Sequence, residues 1–356
     1  MIKFFNLDLH ISVIADIKQI FENLGHEVTS WCISNHTWAF EKDPHSVDII
    51  NQKTWHHLDR NMCDAFYERY KYELAVYDGF IVTHTPAFAM LYERFQKPII
   101  VVASTRYEYP FTTNPAKWQE LNDYLRSGID SGKIIAIANN KYDAAYTEYF
   151  TQRPWEHIPS ICDYTGMQYT AKKRHFLYAS NFKRWPFFLF GVRDKTKALK
   201  KKYAWQDLAD YRGIIHIPYN ASVMSIFEQY TANMPLFFPT LDFLMELYTK
   251  YPKQGVMDQL SWNQVLKIPA GSPLPGCDAN DPNHYNNISV MRNWAALSDF
   301  YDYENMPYIT YFQSFDDLKT KLKAAAFASI SSQMQKFNLE RKRGIIRKWG
   351  KILKKL

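Results

Sequence analysis

Residues 212–239 read RGIIHIPYNASVMSIFEQYTANMPLFFP, and this stretch decides the fold. The short apolar run from Gly213 to Ile217 predicts a buried strand that ends at Pro218. After a polar turn at 219–222, we expect a helix that begins near Ser225 and ends before Pro235. The apolar run at 236–238 then predicts the next strand. Strand, polar turn, helix and strand in this order form one half of a parallel nucleotide-binding sheet.

Such a sheet binds its ligand outside the carboxyl ends of its strands. The amino end of the following helix presents free N–H groups and a partial positive charge, which suits a diphosphate. A carboxylate on that helix can accept hydrogen bonds from ribose hydroxyls. The turn and helix therefore supply a first set of candidate donor-binding residues, which are Tyr219, Asn220, Ser222, Ser225 and Glu228.

The same stretch resembles the donor-binding motif of GT-B glycosyltransferases, in which a Pro-polar turn leads into a helix bearing a Glu and then into a Pro-led strand. Retaining members of that family often carry a second Glu eight residues upstream. Asn220 occupies that position here, so the resemblance implies an inverting reaction. An alternative interpretation stays open, because Ser225 and Glu228 have the S-x-x-E spacing of a capping box, which needs no ligand.

The rest of the chain alternates strand and helix patterns. A strand at 2–9 and an apolar helical pattern at 13–24 precede Gly25, and a second strand follows. The apolar runs at 80–83, 98–103, 133–138 and 174–179 predict further strands, and shorter ones are expected at 158–160 and 308–311. A helix is expected near 88–95, and Ser314 with Asp317 predicts the start of another. This alternation predicts parallel sheets with right-handed crossovers.

A length of 356 residues favours two domains. The polar segment at 163–173 predicts the boundary between them. We expect an acceptor-binding domain at 1–165, a nucleotide-sugar-binding domain at 166–330, and a basic amphipathic helix at 331–356. The predicted fold class is α/β, with two Rossmann-like doubly wound parallel sheets facing a cleft. The opening strand, helix, Gly-His-Glu-Val and strand also resembles GT-B enzymes.

The charge is concentrated in one place. The chain carries a net charge of +7, and residues 341–356 hold eight Lys or Arg and no acid. The body is therefore close to neutral, which argues against nucleic acid as a partner. The apolar residues of this tail are Ile345, Ile346, Trp349, Ile352, Leu353 and Leu356. They share one helical face, which predicts contact with an anionic membrane surface or, alternatively, a last helix packed against the body.

Four widely spaced cysteines indicate reduced, buried thiols and no zinc site. The amino terminus lacks a signal-peptide pattern, and no apolar run is long enough to span a membrane. We therefore expect a cytoplasmic protein, peripheral on a membrane if the tail binds one.

Two further sets of residues follow predicted strands. Ser180, Asn181, Lys183 and Arg184 come after the strand at 174–179. Many GT-B enzymes place a cation there to neutralise the departing diphosphate, so the resemblance implies this role for Lys183 or Arg184 and no metal. A solvated loop is the alternative for both cations. Arg106, Glu108 and Asn139 also follow strands, in the first domain, and are candidates for binding an acceptor sugar or for fixing their loops.

An inverting transfer needs a base that deprotonates the acceptor hydroxyl. Asp8 and His10 follow the first strand, and His84 follows the strand at 80–83. Histidine titrates near neutral pH and therefore suits the role. In several inverting GT-B enzymes the base lies after the first strand, which favours Asp8 or His10. Acidic pairs elsewhere, such as Asp299 with Asp302, lack the D-x-D context of a metal site, and no metal is expected.

Together these observations predict a metal-independent, inverting glycosyltransferase. The predicted partners are a UDP- or GDP-linked nucleotide sugar as donor and a glycan or lipid-linked acceptor. Two alternatives stay open, namely a nucleotide-sugar epimerase of similar two-domain layout and a non-catalytic sugar-binding module.

Overall fold

The computed structural model describes residues 1–34, 47–104, 107–182, 184, 191–259 and 287–356. These residues form two compact units, Met1–Ser160 with Ile345–Leu356, and 161–259 with 287–344. The boundary between the first and second units follows Ser160, whereas the sequence predicted a domain boundary after residue 165. The reason is local, because the Thr231 hydroxyl donates to the Ile161 carbonyl and the Tyr164 hydroxyl donates to Glu228, which ties the intervening segment to the second unit.

The first unit contains a parallel sheet. Its described strands are β1 (Lys3–Asp8), β2 (Glu27–Cys32), β3 (Gly79–Val82), β4 (Ile99–Ala103), β5 (Ile134–Ala138) and β6 (Glu156–His157), in the order β2-β1-β3-β4-β5-β6. Its helices are α1 (Ile11–Asn23), α2 (Arg60–Leu74), α3 (Pro115–Asp130) and α4 (Lys141–Thr151), with 3₁₀ segments at Trp55–His57 and Pro86–Phe95. Every residue of β3 and β4 is buried, as expected for central strands covered on both faces.

The second unit repeats this design. Its described strands are β7 (Phe176–Tyr178), β8 (Val192–Asp194), β9 (Ile214–Ile215), β10 (Leu236–Pro239) and β11 (Thr310–Phe312), all parallel, in the order β11-β10-β9-β7-β8. Its helices are α5 (Lys195–Ala198), α6 (Trp205–Ala209), α7 (Met224–Thr231), α8 (Leu241–Lys250), α9 (Ile288–Ala295) and α10 (Phe315–Ala324), with 3₁₀ segments at Asp163–Thr165 and Asp299–Tyr301.

Both sheets have the same strand order. In each, the second strand lies outside the first, and the third strand pairs with the first on its other side. The chain therefore reverses its direction of winding between β1 and β3, and again between β7 and β9. These two switch points are where an open parallel sheet leaves room for a ligand. The predicted α/β class with two doubly wound parallel sheets is confirmed.

Most predicted elements occur within a few residues of their expected positions. Two differ in kind or place. The segment expected as a helix near 88–95 is a buried 3₁₀ segment, and the short strand expected at 158–160 lies at Glu156–His157. The predicted helix start at Ser314 is confirmed, since its hydroxyl accepts from the Asp317 N–H at 3.1 Å and the Asp317 carboxylate accepts from the Gln313 N–H.

The last helix, α11 (Phe327–Leu353), begins before the predicted segment 331–356. Its residues beyond Gly344 belong to the first unit. Trp349 is almost fully buried and packs edge-to-face on Phe21, with ring centroids 5.2 Å apart. Ile345, Ile352 and Leu353 are buried as well. These four buried residues favour the packed alternative that the sequence left open, whereas Ile346 is half-buried and Leu356 is exposed.

Among the described residues, no helix is long and apolar enough to cross a membrane.

Candidate functional site: a lysine-lined cavity in the second unit

A cavity of about 580 Å³ opens at the switch point of the second sheet. The carboxyl end of β7 contributes Tyr178, Ala179 and Ser180, and the end of β9 contributes His216 and Ile217. The rest of the lining comes from segments that follow these strands, namely Asn181, Lys195, Thr196, Leu199, Lys200, Lys201, Tyr203, Pro218, Tyr219, Val223, Ser225, Ile226, Gln229 and Gln259. The cavity thus lies where a doubly wound sheet is expected to bind its ligand.

The electrostatic character of the cavity is set by three lysines. Lys195, Lys200 and Lys201 line it, and its described lining contains no Asp or Glu. In the part of the chain that the structure describes, none of the three lysines forms an ion pair with a carboxylate. Lys195 lies over the ring of Tyr203, with Nζ 4.9 Å from the centroid. Uncompensated cations around a cleft attract anions, and a diphosphate matches this arrangement.

The buried side of the cavity is neutral. His216 and Gln229 are both buried, and His216 Nε2 lies 2.8 Å from Gln229 Oε1. The imidazole stacks on Phe238 at a centroid distance of 4.9 Å. Burial lowers the pKa of His216 to about 4, with Lys195 adding to the shift. The ring is therefore uncharged at neutral pH.

A backbone segment from the end of α8 completes the lining. The N–H of Met257 donates to the Pro218 carbonyl and that of Gln259 donates to the Tyr219 carbonyl, each at 2.9 Å. Gly255 has φ +91°, and a Cβ added there would lie 2.4 Å from the carbonyl of Asn181. Only glycine permits this approach, so Gly255 allows the segment to close against the end of β7.

The predicted donor-binding residues divide into two groups. Ser180, Asn181, Tyr219 and Ser225 line the cavity. Ser180 is also fixed, because its hydroxyl donates to the Ile217 carbonyl at 2.6 Å and accepts from the Phe182 N–H. The other predicted residues lie outside the lining or outside the described residues, and these are Asn220, Ser222, Glu228, Arg184 and Lys183.

Asn220 and Ser222 have structural partners. The Asn220 side chain accepts from the Ala221 N–H at 2.8 Å, and the Ser222 hydroxyl donates to the buried Asp299 at 2.5 Å. Arg184 is exposed and is not part of the lining. Lys183 lies outside the described residues. The cations that line the cavity among the described residues are the lysines that follow β8, and the role predicted for Lys183 or Arg184 stays a prediction.

Glu228 faces away from the cavity lining. It is 7% exposed, and its Oε1 accepts from the Tyr164 hydroxyl at 2.6 Å. Ser225, Ile226 and Gln229 line the cavity instead, on the adjacent face of α7. The capping-box alternative is wrong, since the N-cap is Val223 and no side chain caps this helix. The helix starts one residue earlier than predicted, which moves Ser225 off the cap position.

In the first unit, Asp8 lies at the switch point but is fully buried. Its Oδ2 accepts from the N–H groups of Thr83 and His84 at 3.0 Å and from that of Thr85 at 3.3 Å, and its Oδ1 accepts from the Leu9 N–H. Burial raises the pKa of the Asp8 carboxyl, and the four hydrogen bonds oppose the rise. The geometry makes Asp8 an anchor that joins the end of β1 to the loop after β3.

His10 and His84 meet at this anchored edge. Their ring centroids are 5.1 Å apart, and both residues are half-buried. His84 Nδ1 lies 3.2 Å from the Thr85 hydroxyl. Strand pairing produces the proximity, because β1 and β3 are neighbours and the two histidines follow their carboxyl ends. Of the three predicted base candidates, the His10 and His84 side chains thus lie close together. Asp8, the third, holds the loop that contains His84.

Two of the three predicted acceptor-binding residues are described by the structure. Glu108 and Asn139 are buried. The Asn139 amide donates to the Ser160 hydroxyl at 3.2 Å and accepts from Asn140, which caps α4. These contacts favour the loop-fixing alternative for Asn139. Arg106 lies outside the described residues.

No group of three or more His, Cys, Asp or Glu side chains converges among the residues that the structure describes. Asp299 pairs with Ser222, Asp302 accepts from Asn305, and Asp317 caps α10. Cys32, Cys63 and Cys162 are buried, and no disulfide joins them.

Sequence reasoning missed the cavity residues Lys195, Lys200, Lys201, His216 and Gln229. The lysines stand in the run KTKALKKK at 195–202, a charge run typical of a solvated face. His216 interrupts the apolar run IIHI. A polar residue within a buried apolar run is unusual, and this signal could have identified it.

No protein-family model matches this sequence, and no curated protein matches it. Among solved structures, the chain is similar to the glycosyltransferase VinC in complex with dTDP, over 99% of this chain and 100% of that one, at 11% identity and a TM-score of 0.42. It is similar to the glycosyltransferase SnogD from Streptomyces nogalater over 96% of each chain, at 11% identity and a TM-score of 0.43. UDP-GlcNAc 2-epimerase from Methanocaldococcus jannaschii matches over 67% of this chain and 83% of that one, at 9% identity and a TM-score of 0.37.

Proposed function

We propose that this chain is a glycosyltransferase whose second unit binds the diphosphate of a nucleotide sugar in the lysine-lined cavity. One observation carries the proposal: among the described residues that line a cavity at the switch point of a parallel sheet, three are lysines and none is a carboxylate. The position favours a nucleotide ligand, and the charge favours its phosphates. The resemblance of residues 212–239 to a GT-B donor motif favours a nucleotide that carries a sugar.

The transfer itself is proposed to invert the anomeric centre and to proceed without a metal. In this scheme the lysines take the charge that develops on the departing diphosphate. His10 or His84 accepts the proton of the acceptor hydroxyl, which belongs to a glycan or a lipid-linked sugar. Asp8 supports the base by holding the backbone of His84.

Isothermal titration with UDP, GDP, dTDP and inorganic pyrophosphate tests donor binding. We expect one nucleoside diphosphate to bind best, and we expect its affinity to fall with salt because the lysine contacts are screened. The triple variant Lys195→Ala, Lys200→Ala, Lys201→Ala is expected to lose at least tenfold in affinity for every diphosphate. The triple variant Lys319→Ala, Lys323→Ala, Lys336→Ala is the matched control, since it removes the same number of charges at exposed positions outside the lining.

Product analysis then separates the reaction classes. Incubation of the preferred nucleotide sugar with oligosaccharide acceptors is expected to give free nucleoside diphosphate and a lengthened glycan. A changed sugar still attached to the nucleotide identifies an epimerase, and binding without turnover identifies a non-catalytic module. A wild-type protein that binds no diphosphate contradicts the proposal.

A membrane-borne acceptor remains part of the proposal in a narrower form. The apolar face of α11 is packed, but Arg347, Lys351, Lys354 and Lys355 are exposed. Contact with an anionic membrane is then electrostatic, worth about 1 kcal/mol per cation near the surface. Co-flotation with vesicles containing phosphatidylserine is expected to be lost at high salt and in the variant with these four residues changed to Ala. Equal flotation of the variant contradicts this contact.

A further inference from the structure

The neutral side of the cavity contains an unsatisfied donor. Gln229 lies on α7 and lines the cavity, and it is 0% exposed to solvent. Its Oε1 faces His216 Nε2, so the imidazole N–H donates and the amide oxygen accepts. Its Nε2 is buried and has no hydrogen-bond partner in the described structure.

A buried amide N–H without an acceptor is costly, and native proteins rarely leave one unmatched. The neighbouring lining residues on α7 are Ser225 and Ile226, and neither accepts from this amide in the described structure. A group that enters the cavity is therefore the acceptor that Gln229 lacks. The orientation of the amide is fixed from the other side, because His216 occupies its oxygen.

The chemistry of the missing acceptor follows from how the lining is divided. Its cations, Lys200 and Lys201, are exposed, and Lys195 is half-buried, whereas Gln229 and His216 are buried and uncharged. A phosphate is best matched by the lysines, since burying an anion against a neutral amide leaves most of its charge uncompensated. An uncharged carbonyl or hydroxyl oxygen matches a single neutral N–H donor.

We propose that Gln229 donates a hydrogen bond to an uncharged oxygen of the nucleotide sugar outside its diphosphate, with His216 as the residue that positions Gln229. This inference rests on the proposed function. Two parts of the ligand carry such oxygens, namely the nucleobase carbonyls and the sugar hydroxyls. Gln229 is then a specificity-determining residue, and the lysines supply affinity without discrimination.

The test measures the affinities of wild type, Gln229→Leu and Gln229→Glu for pyrophosphate, UDP, GDP, dTDP and UDP-glucose. Leu has a similar volume but donates no hydrogen bond, and Glu presents an oxygen to the ligand acceptor. We expect roughly a tenfold loss for the preferred nucleotide with Leu and a larger loss with Glu. Pyrophosphate affinity is expected to stay within twofold in the Leu variant. If the oxygen belongs to the sugar, only UDP-glucose or another intact donor weakens.

The positioning role of His216 has its own readout. We expect His216→Asn to lower nucleotide affinity in the wild-type background and to have no further effect in Gln229→Leu, because the hydrogen bond is already absent. An additive loss contradicts positioning. Thermal unfolding without ligand checks that the variants are folded.

The outcomes separate this inference from the proposed function. If no diphosphate binds wild type, or if the lysine variant binds as well as wild type, the proposed function fails. If binding depends on the lysines but Gln229→Leu keeps wild-type affinity for all probes, only this inference fails. An equal loss for pyrophosphate and nucleotides places the Gln229 contact on the phosphates and also overturns it.

Discussion

The hydroxyl of Tyr164 lies 2.6 Å from Oε1 of Glu228 and donates a hydrogen bond to this buried carboxylate. The contact joins the segment at the start of the second unit to α7. It also accounts for the position of Glu228, which the sequence predicted to bind ribose hydroxyls and which is not among the residues that line the cavity. A hydrogen bond to a buried carboxyl contributes about 0.5–3 kcal/mol, with the larger values for a charged acceptor.

We therefore expect Tyr164→Phe and Glu228→Gln each to lower the free energy of unfolding, with a coupling of about 1–3 kcal/mol in the double-mutant cycle. Urea denaturation measures this coupling. Nucleotide affinity is expected to stay within a few-fold of wild type in folded variants. A tenfold loss of affinity in Glu228→Gln at unchanged stability assigns Glu228 to the donor site instead.

Asp8 is expected to contribute to stability and not to proton transfer. Asp8→Ala leaves four backbone N–H groups without their acceptor, and we expect a loss of about 2–4 kcal/mol in the free energy of unfolding. Asp8→Asn keeps one side-chain oxygen and is expected to lose less. Chemical denaturation measures both. An Asp8→Ala protein with wild-type stability and no transfer activity identifies Asp8 as the base.

His216 predicts a pH dependence of stability. Its folded pKa is about 4, whereas the ordinary value is 6.5. The unfolded chain therefore binds a proton between these values and the folded protein does not, so stability is complete above pH 6.5 and falls as the pH drops toward 4. The loss approaches roughly 3 kcal/mol at about 1.4 kcal/mol per pH unit.

Denaturation curves at several pH values between 4 and 7.5 measure this slope. We expect His216→Asn to flatten it, because Asn does not titrate in this range. Identical slopes for wild type and His216→Asn show that other groups cause the acid sensitivity.

Substitution of Trp349 tests whether the apolar face of the last helix is packed. We expect Trp349→Ala to lower the free energy of unfolding by about 3–5 kcal/mol, since it empties a buried site against Phe21. Lys351→Ala on the exposed face is expected to change stability by less than about 0.5 kcal/mol. Thermal and chemical unfolding measure both. A neutral Trp349→Ala contradicts the packed position of this face.

The sequence by itself determined the alternation of strands and helices, because short apolar runs rich in β-branched residues, such as IIVVA at 99–103, are typical of strands inside a covered parallel sheet. It also indicated that ligand-binding residues follow the ends of the strands, and of those it named, Ser180, Tyr219 and Ser225 line the cavity. These inferences depend on local pattern and on the direction of strands.

Only the tertiary structure decided which side chains share the site. Lys195 and Gln229 are 34 positions apart in the sequence, yet both line one cavity. Lys195 follows β8 and Gln229 lies on the helix after β9, and these two strands flank β7 in the sheet. Glu228 and Gln229 are neighbours in sequence, yet the helical turn of about 100° per residue directs one toward Tyr164 and the other into the cavity. Strand order and helix rotation are set by long-range packing, which the local pattern of residues does not specify.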